Sequence, residues 1–358
     1  IEVTDTQWVT RAPSHRFDIA IEADLIEEVA RIYGYENIPA NMPTAAVNFT
    51  PVAEAQTSIQ TMRSTLVAQG YQEAITYSFI DKESSLQFVP DVEPVPLANP
   101  ISAEMGVMRP SLIPGLMKAY LHNQNRQQSR VRLFETGRRF IGSVDALDQL
   151  DQQERLAGLI AGSRETEAWY HNSDSVDFYD VKSHIEALFA LNDGDKPSYE
   201  RADVVYLHPG RSAKVMIAGE EVGVFGELHP QFAKALGCNQ AVYLFDLNLD
   251  AVLVGKLPVY RPVSKFPEVR RDFALLADRD TPVVSLQNII TEHAGDAFKA
   301  LSVFDVYQGQ GIDDTKKSVA LGLTWQHPSH TLSEDEINKS VEQVLAALEE
   351  QLGVVVRG

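Results

Sequence analysis

The chain has 358 residues, 44% of them hydrophobic and 23% charged, with a net charge of −19. That length accommodates two or three domains, each with its own core, and the composition is that of an ordinary globular protein. The acidic balance excludes a general nucleic-acid binder, because wholesale phosphate contact needs a basic face, so any RNA contact has to be local or supported by a partner. No apolar run approaches the ~20 residues of a membrane span, and no signal peptide opens the chain. A single cysteine, Cys238, excludes an internal disulfide and fits a reducing cytosol.

The first readable element lies in 17–35. Leu25, Ile26, Val29, Ile32 and Tyr33 recur at helical spacing, and Gly34 stands where a C-terminal cap belongs. Asp24, Glu27 and Glu28 fall at i, i+3 and i+4 on one face of the first turns, with Asp18 just upstream. Two readings stay open. Four carboxylates converging on one point suit a hard divalent cation held by oxygen, most plausibly Mg²⁺. Equally, Asp24 serves as an N-cap with Glu27 as its capping-box partner, and the other acids simply favour the helix dipole.

Pro39, Pro43 and Pro51 punctuate a polar linker. Val52, Ala55, Ile59, Met62 and Leu66 then predict a helix stopped at Gly70, and 73–80 a strand. Met108-Arg109-Pro110-Ser111-Leu112-Ile113-Pro114-Gly115-Leu116 leads into a helix through Arg126. Strands are predicted over 131–140 and 156–162, a helix over 177–191, a hairpin over 214–228 turning near Gly219-Glu220, and a strand over 241–247. Strands interleaved with few helices imply an α+β domain around a mainly antiparallel sheet. No Walker pattern or dinucleotide fingerprint is present. His171, His184, His208 and His229 lack metal-type spacing, and Cys238 has no catalytic base near it in sequence.

The last hundred residues read as strand 271–277, helix 282–293, strands 300–307 and 317–325, a long helix capped at Ser333, and strand 354–356. The order βαββαβ is the ferredoxin-like unit, with helices on one sheet face and the other face open. Strand alternation points Asp305 and Tyr307 toward the open face, and Phe304 and Val306 toward the helices. Tyr307 can then stack an unpaired base and Asp305 accept hydrogen bonds from one, with Arg261, Lys265, Arg270, Arg271, Lys316 and Lys317 on the approach. An ordinary solvated sheet face with a Tyr on it is the competing reading.

Three strings carry a family resemblance. Pro13-Ser14-His15-Arg16-Phe17-Asp18-Ile19, with Asp24-Leu25-Ile26-Glu27-Glu28-Val29-Ala30-Arg31 and Tyr33-Gly34-Tyr35, resembles the end of the B5 domain of the β subunit of bacterial phenylalanyl-tRNA synthetases. The region after Arg109 resembles the motif-1-like segment of the class II synthetase core, which mediates subunit packing. Leu133-Phe134-Glu135-Thr136-Gly137 falls at motif 2 and Gly226-Glu227-Leu228-His229-Pro230 near motif 3. Lys265-Phe266-Pro267-Glu268-Val269-Arg270-Arg271-Asp272-Phe273-Ala274 resembles the FDX-ACB domain, the ferredoxin-fold anticodon-binding domain. The core departs from an active enzyme: Leu133 stands where motif 2 offers an Arg, and Leu228 where motif 3 continues with one.

The resemblance implies a partial B5 domain (1–38), a linker (39–51), a catalytic-like but inactive core (52–257) and an FDX-ACB domain (258–358). The fold class is α+β, a class II synthetase-like antiparallel-sheet core plus a ferredoxin-like βαββαβ domain. It implies Mg²⁺ at Asp18, Asp24, Glu27 and Glu28, and anticodon contacts at Ala274, Asp305, Tyr307 and Ser318, helped by Arg270 and Arg271. No residue is expected to be catalytic. The partners implied are an α subunit, in an α₂β₂ ligase that binds ATP on α, and tRNA(Phe), in the cytoplasm and without membrane contact. Beginning at Ile1 inside the B5-like string, the chain is expected to be the C-terminal part of a longer polypeptide. Two rival readings are a metal-dependent enzyme built on the four carboxylates, which lacks a nucleophile or a second acid/base set, and a free-standing RNA-binding adaptor, which the acidic balance and large core disfavour.

Overall fold

The computed structural model describes residues 2–48, 53–143, 150–260 and 262–357, in two units, Ile1–Lys256 and Leu257–Gly358. The first unit opens with a ribbon of β1 (Glu2–Val3) and β2 (Trp8–Val9), followed by helix α1 (Glu22–Tyr33). Gly34 ends α1 at φ 92°, a backbone setting that a side chain would strain. Helix α2 (Ile59–Ala68) starts later than its apolar spacing implied, because the Ser58 hydroxyl accepts from the Thr61 amide at 3.0 Å and fixes the cap there. Ala55 therefore precedes the helix, and Pro51 and Val52 lie outside the described residues.

The strand expected over 73–80 is two short pieces, β3 (Gln72–Glu73) and β4 (Phe79–Ile80), since the chain leaves the sheet at Thr76 to meet Glu135. Helix α3 (Lys82–Phe88), β5 (Val107–Met108), which pairs with β4, and helix α4 (Ile113–Gln124) follow. Long strands β6 (Val131–Ile141) and β7 (Asp151–Ala161) lead to α5 (Phe178–Phe189), β8 (Ser198–Arg201), β9 (Leu207–Ile217) and β10 (Glu220–Leu228). Ala218 and Gly219, both at positive φ, make the two-residue turn between β9 and β10, one residue earlier than expected. Helix α6 (Pro230–Leu236), β11 (Val242–Asn248) and α7 (Leu249–Leu253) complete the unit.

Seven strands form one sheet in the order β3-β6-β7-β11-β10-β9-β8, antiparallel except for the β3–β6 pair. Both faces are buried. Phe134, Leu156, Ile160, Phe225, Phe245 and Leu247 pack with α2, α5 and α7, while Leu133, Leu159, Leu228 and Leu244 pack with α3 and α4. This explains why β7 and β11 read as nearly continuous apolar runs. Gly158 is required at the centre, for a Cβ there would fall 2.2 Å from the Phe245 ring. A cross-strand pair, Arg155 Nε to Asp246 Oδ1 at 2.7 Å, joins β7 and β11 at the margin of this core.

The second unit holds β12 (Val269–Asp278), α8 (Val283–His293), β13 (Phe298–Tyr307), β14 (Lys316–Trp325), α9 (Glu334–Leu352) and β15 (Val355–Val356), with strand order β13-β14-β12-β15. This is the expected ferredoxin-like arrangement. The Ser333 hydroxyl and Glu336 carboxylate form the capping box of α9, and Gly353 at φ 62° ends it. Leu275, Val319, Leu321, Leu323 and Trp325 face the helices.

Tyr71, buried in the first core, meets Nδ1 of His184 through its hydroxyl at 3.0 Å. Burial, with Arg132 nearby, lowers the His184 pKa to about 4, although Asp180 opposes the shift. The folded protein thus holds this imidazole neutral, whereas the unfolded chain protonates it below the ordinary value near 6.5. Stability should be complete above that pH and fall as pH drops toward 4. Urea midpoints measured across this window should decline, and a His184→Gln variant should flatten the decline.

Candidate functional site

The open face of the C-terminal sheet is built from strand alternation. On β12, Arg270, Asp272 and Ala274 point away from the helices; on β14, Ser318, Ala320, Gly322 and Thr324 do so. The cross-strand pairs put Ala274, Ala320 and Asp305 in one row, and Leu276, Ser318 and Tyr307 in the next. Ala274, Asp305, Tyr307 and Ser318 are therefore gathered on two adjacent rows of one face. The Tyr307 hydroxyl donates to the Gln310 carbonyl at 3.1 Å, and the Arg357 guanidinium lies 5.9 Å from the Tyr307 ring centre.

Two expectations change here. Register with β14 slips between Val303 and Asp305, a bulge that removes Phe304 from the alternation. Phe304 is 55% exposed, and Arg270, which lies over Gly322 on the open face, stands 5.7 Å from its ring centre. Its ring therefore meets the open face rather than the helices. Arg271, one residue from Arg270, turns to the other side, with Nη2 3.7 Å from the Glu334 carboxylate. Among the expected basic approach residues, Arg270 Nε pairs with Asp272 at 2.7 Å, Lys316 with Asp278 at 2.6 Å, and Lys317 donates to the Thr281 carbonyl. Arg261 lies outside the described residues.

At the acidic helix, one guanidinium holds two of the four carboxylates. Arg16 Nη2 is 2.7 Å from Asp18 and 2.6 Å from Glu28, whose other oxygen meets Arg31 at 2.7 Å. The Arg16 guanidinium lowers the Asp18 pKa to about 2, and Arg16 together with Arg31 lowers that of Glu28 to about 2. Asp24 folds back to accept from the Ala20 and Ile21 amides at 2.7 and 2.8 Å, which also lowers its pKa. Asp24 thus caps the helix from its third position, not as the N-cap residue itself. Among the described residues no group of three or more His, Cys, Asp or Glu side chains is gathered to hold a metal ion.

In the first unit the Glu of the motif-2-like string is fully engaged. Arg109 Nη1 meets Glu135 Oε1 at 2.6 Å, both side chains being 5% exposed or less. Thr76 donates from its hydroxyl to Glu135 Oε2 at 2.7 Å, and Arg109 Nε donates to the Arg138 carbonyl at 3.0 Å. Cys238 is half-buried, and burial raises its thiol pKa, as befits an inert filler.

Three family models match in succession: the tRNA synthetase B5 domain over 1–35, the phenylalanyl-tRNA synthetase beta chain CLM domain over 38–249, and the ferredoxin-fold anticodon-binding domain over 264–357. The chain is 51% identical to a phenylalanine–tRNA ligase beta subunit from Pseudomonas fluorescens Pf-5, over 98% of this chain and 44% of that one. The chain belongs to the phenylalanine–tRNA ligase beta-subunit family. Relatives from Hahella chejuensis and Pseudoalteromonas translucida are 42% and 43% identical, over 99% and 100% of this chain and 45% of theirs. The chain thus spans less than half the length of the curated relatives it matches. Among solved structures it is similar to a pyrrolysyl tRNA synthetase from Desulfitobacterium hafniense at TM-score 0.38 and 17% identity, over 54% of this chain and 65% of that one, a likeness too slight to build on.

Sequence reasoning missed Phe304, Arg357 and the Arg109–Glu135 pair in this beta-subunit chain. Alternation cannot see a bulge, Arg357 is a lone cation near the end of the sequence, and Arg109 meets a residue distant along the chain. The buried pair yields a stability expectation. Arg109→Met leaves the Glu135 carboxylate buried without its cation and should cost about 3–5 kcal/mol in urea unfolding. Arg109→Met with Glu135→Leu should recover most of that loss. A double variant no more stable than the single one would show that the pair is not the cause.

Proposed function

We propose that this chain serves as the part of a cytoplasmic phenylalanine–tRNA ligase β subunit that scaffolds an α subunit and meets the anticodon region of tRNA(Phe). The observation that carries the reading is the gathering of Ala274, Asp305, Tyr307 and Ser318 on two adjacent rows of one sheet face, with Asp305 and Tyr307 exposed and Ser318 buried in its floor. Tyr307 would stack an unpaired base, the Asp305 carboxylate would accept from N–H groups on a base edge, and the small floor of Ala274 and Ala320 would let the base approach. Arg270 would neutralise phosphate nearby, whereas Arg271, turned toward Glu334 on the other side, would not take the part expected of it.

Domain limits of 1–38, 39–51, 52–257 and 258–358 accord with this reading, as does a class II-type core that has lost its site. Glu135 is consumed by Arg109 and Thr76, and the strands are packed on both faces, so ATP-dependent activation of phenylalanine would belong to α in an α₂β₂ assembly. Bound Mg²⁺ would act as a structural cation, and the chemistry of the donor set Asp18, Asp24, Glu27 and Glu28 suits it. Arg16 would first have to release Asp18 and Glu28, and Asp24 its backbone amides. Arg16 therefore holds two of the donors, Asp18 and Glu28, charged and close to one another.

Two measurements test these assignments in the full-length enzyme. Tyr307→Ala should weaken tRNA charging by about tenfold in kcat/KM, as one lost base stack implies, with phenylalanine-dependent ATP–pyrophosphate exchange nearly intact. Equal loss in both assays would refute the anticodon role. Asp18→Asn with Glu28→Gln should remove Mn²⁺, used as a spectroscopic substitute for Mg²⁺, from the assembled enzyme; unchanged stoichiometry would refute the metal assignment.

A further inference from the structure

The bulge in β13 places a second aromatic on the face that carries Tyr307. Phe304 is 55% exposed and Tyr307 40%, so two accessible rings stand on the same strand of this face. The Arg270 guanidinium lies over Gly322, where any Cβ would strike it at 2.5 Å, and reaches toward the Phe304 ring. Gly322 therefore gives Arg270 the space to lie down along the sheet. Asp272 fixes Arg270 Nε from the same side of β12. The arrangement parallels the one at Tyr307, where Arg357 approaches the ring. Each aromatic thus has its own guanidinium, and small residues of β12 and β14 floor the space between them.

We propose that Phe304 and Arg270 form a second base platform, which takes an unpaired nucleotide next to the one stacked on Tyr307. This rests on the reading of the open face as the anticodon surface and extends it from one base to two. Tyr307 lies two strand steps beyond Asp305, roughly 7 Å, and Phe304 stands at the bulge a little farther back along β13, a span that gives each ring room for its own base. Aromatic rings and guanidinium planes both present flat faces to a base, and sheet platforms of this topology stack two or three. Arg270 can place its positive charge against a base or the adjoining phosphate without releasing Asp272.

The test uses the full chain and the anticodon stem-loop hairpin of a phenylalanine tRNA, with a series of hairpins in which one loop nucleotide at a time is abasic. Dissociation constants are read by fluorescence anisotropy at one fixed salt concentration, since salt alone moves such affinities. Phe304→Ala should weaken the intact hairpin by about tenfold, and Phe304→Trp should restore binding. The loss from Phe304→Ala should vanish for one abasic position, and the loss from Tyr307→Ala for a neighbouring one. If Tyr307→Ala weakens binding and Phe304→Ala does not, the second platform is refuted and the anticodon reading stands. A Phe304→Ala loss that is the same for every hairpin, or that couples to the Tyr307 nucleotide, also refutes it. Unchanged affinity in both variants would overturn the reading of the face itself, and the second platform with it.

Discussion

The buried ion pair between Arg109 and Glu135 ties together three segments of the first unit. It joins the segment entering α4 to the centre of β6, and Thr76, at the break between β3 and β4, completes the cluster by donating to the same carboxylate. Taking a guanidinium and a carboxylate out of water is expensive, and only complete hydrogen bonding offsets that cost. Here Arg109 also reaches the Arg138 carbonyl, and both Glu135 oxygens have partners. A carboxylate held this way, 2% exposed and with both oxygens engaged, is not presented to a ligand. The pair therefore accounts at once for the course of the chain around β6 and for the absence of a usable acid in the motif-2-like string.

Most of the architecture was legible because its signals are local. The capping box at Ser333, the stop glycines at positions 34 and 353, and the alternation of β12 and β14 each follow from a few neighbouring residues. The starting point of α2 was misplaced because apolar spacing extends upstream of the cap, and the Ser58 hydroxyl decides where helical hydrogen bonding begins. The 73–80 segment departs from a single strand for a different reason. Its β-branched residues fit a strand, but Thr76 is drawn out of the sheet by a partner some sixty residues away, at Glu135.

The same division between local and distant causes separates what could be foreseen at the functional surfaces. Asp305 and Tyr307 share a face because they stand at i and i+2 downstream of the bulge, where alternation holds. Phe304 escaped the pattern because the bulge residue itself has no partner on β14. At the acidic helix the spacing of Asp24, Glu27 and Glu28 was read correctly as one face, yet the cation that meets Glu28 and Asp18 comes from Arg16, a residue of the preceding turn. Opposite charge brought from outside the helix, not the spacing within it, decides how these carboxylates are held.

Charge also decides how an acidic chain can meet RNA. On the second unit, Arg270 is paired with Asp272, Lys316 with Asp278 and Lys299 with Glu268, so several cations near the open face already have carboxylate partners. Phosphate neutralisation alone is then a weak source of affinity, because each of these cations is already partly neutralised by its carboxylate. Stacking and base-edge hydrogen bonding would escape that loss: on the proposed anticodon face they would use the rings of Tyr307 and Phe304 and the carboxylate of Asp305. A surface that attracts RNA weakly and reads unpaired bases closely discriminates better than a basic one, since its hold on any sequence depends on which bases reach the sheet.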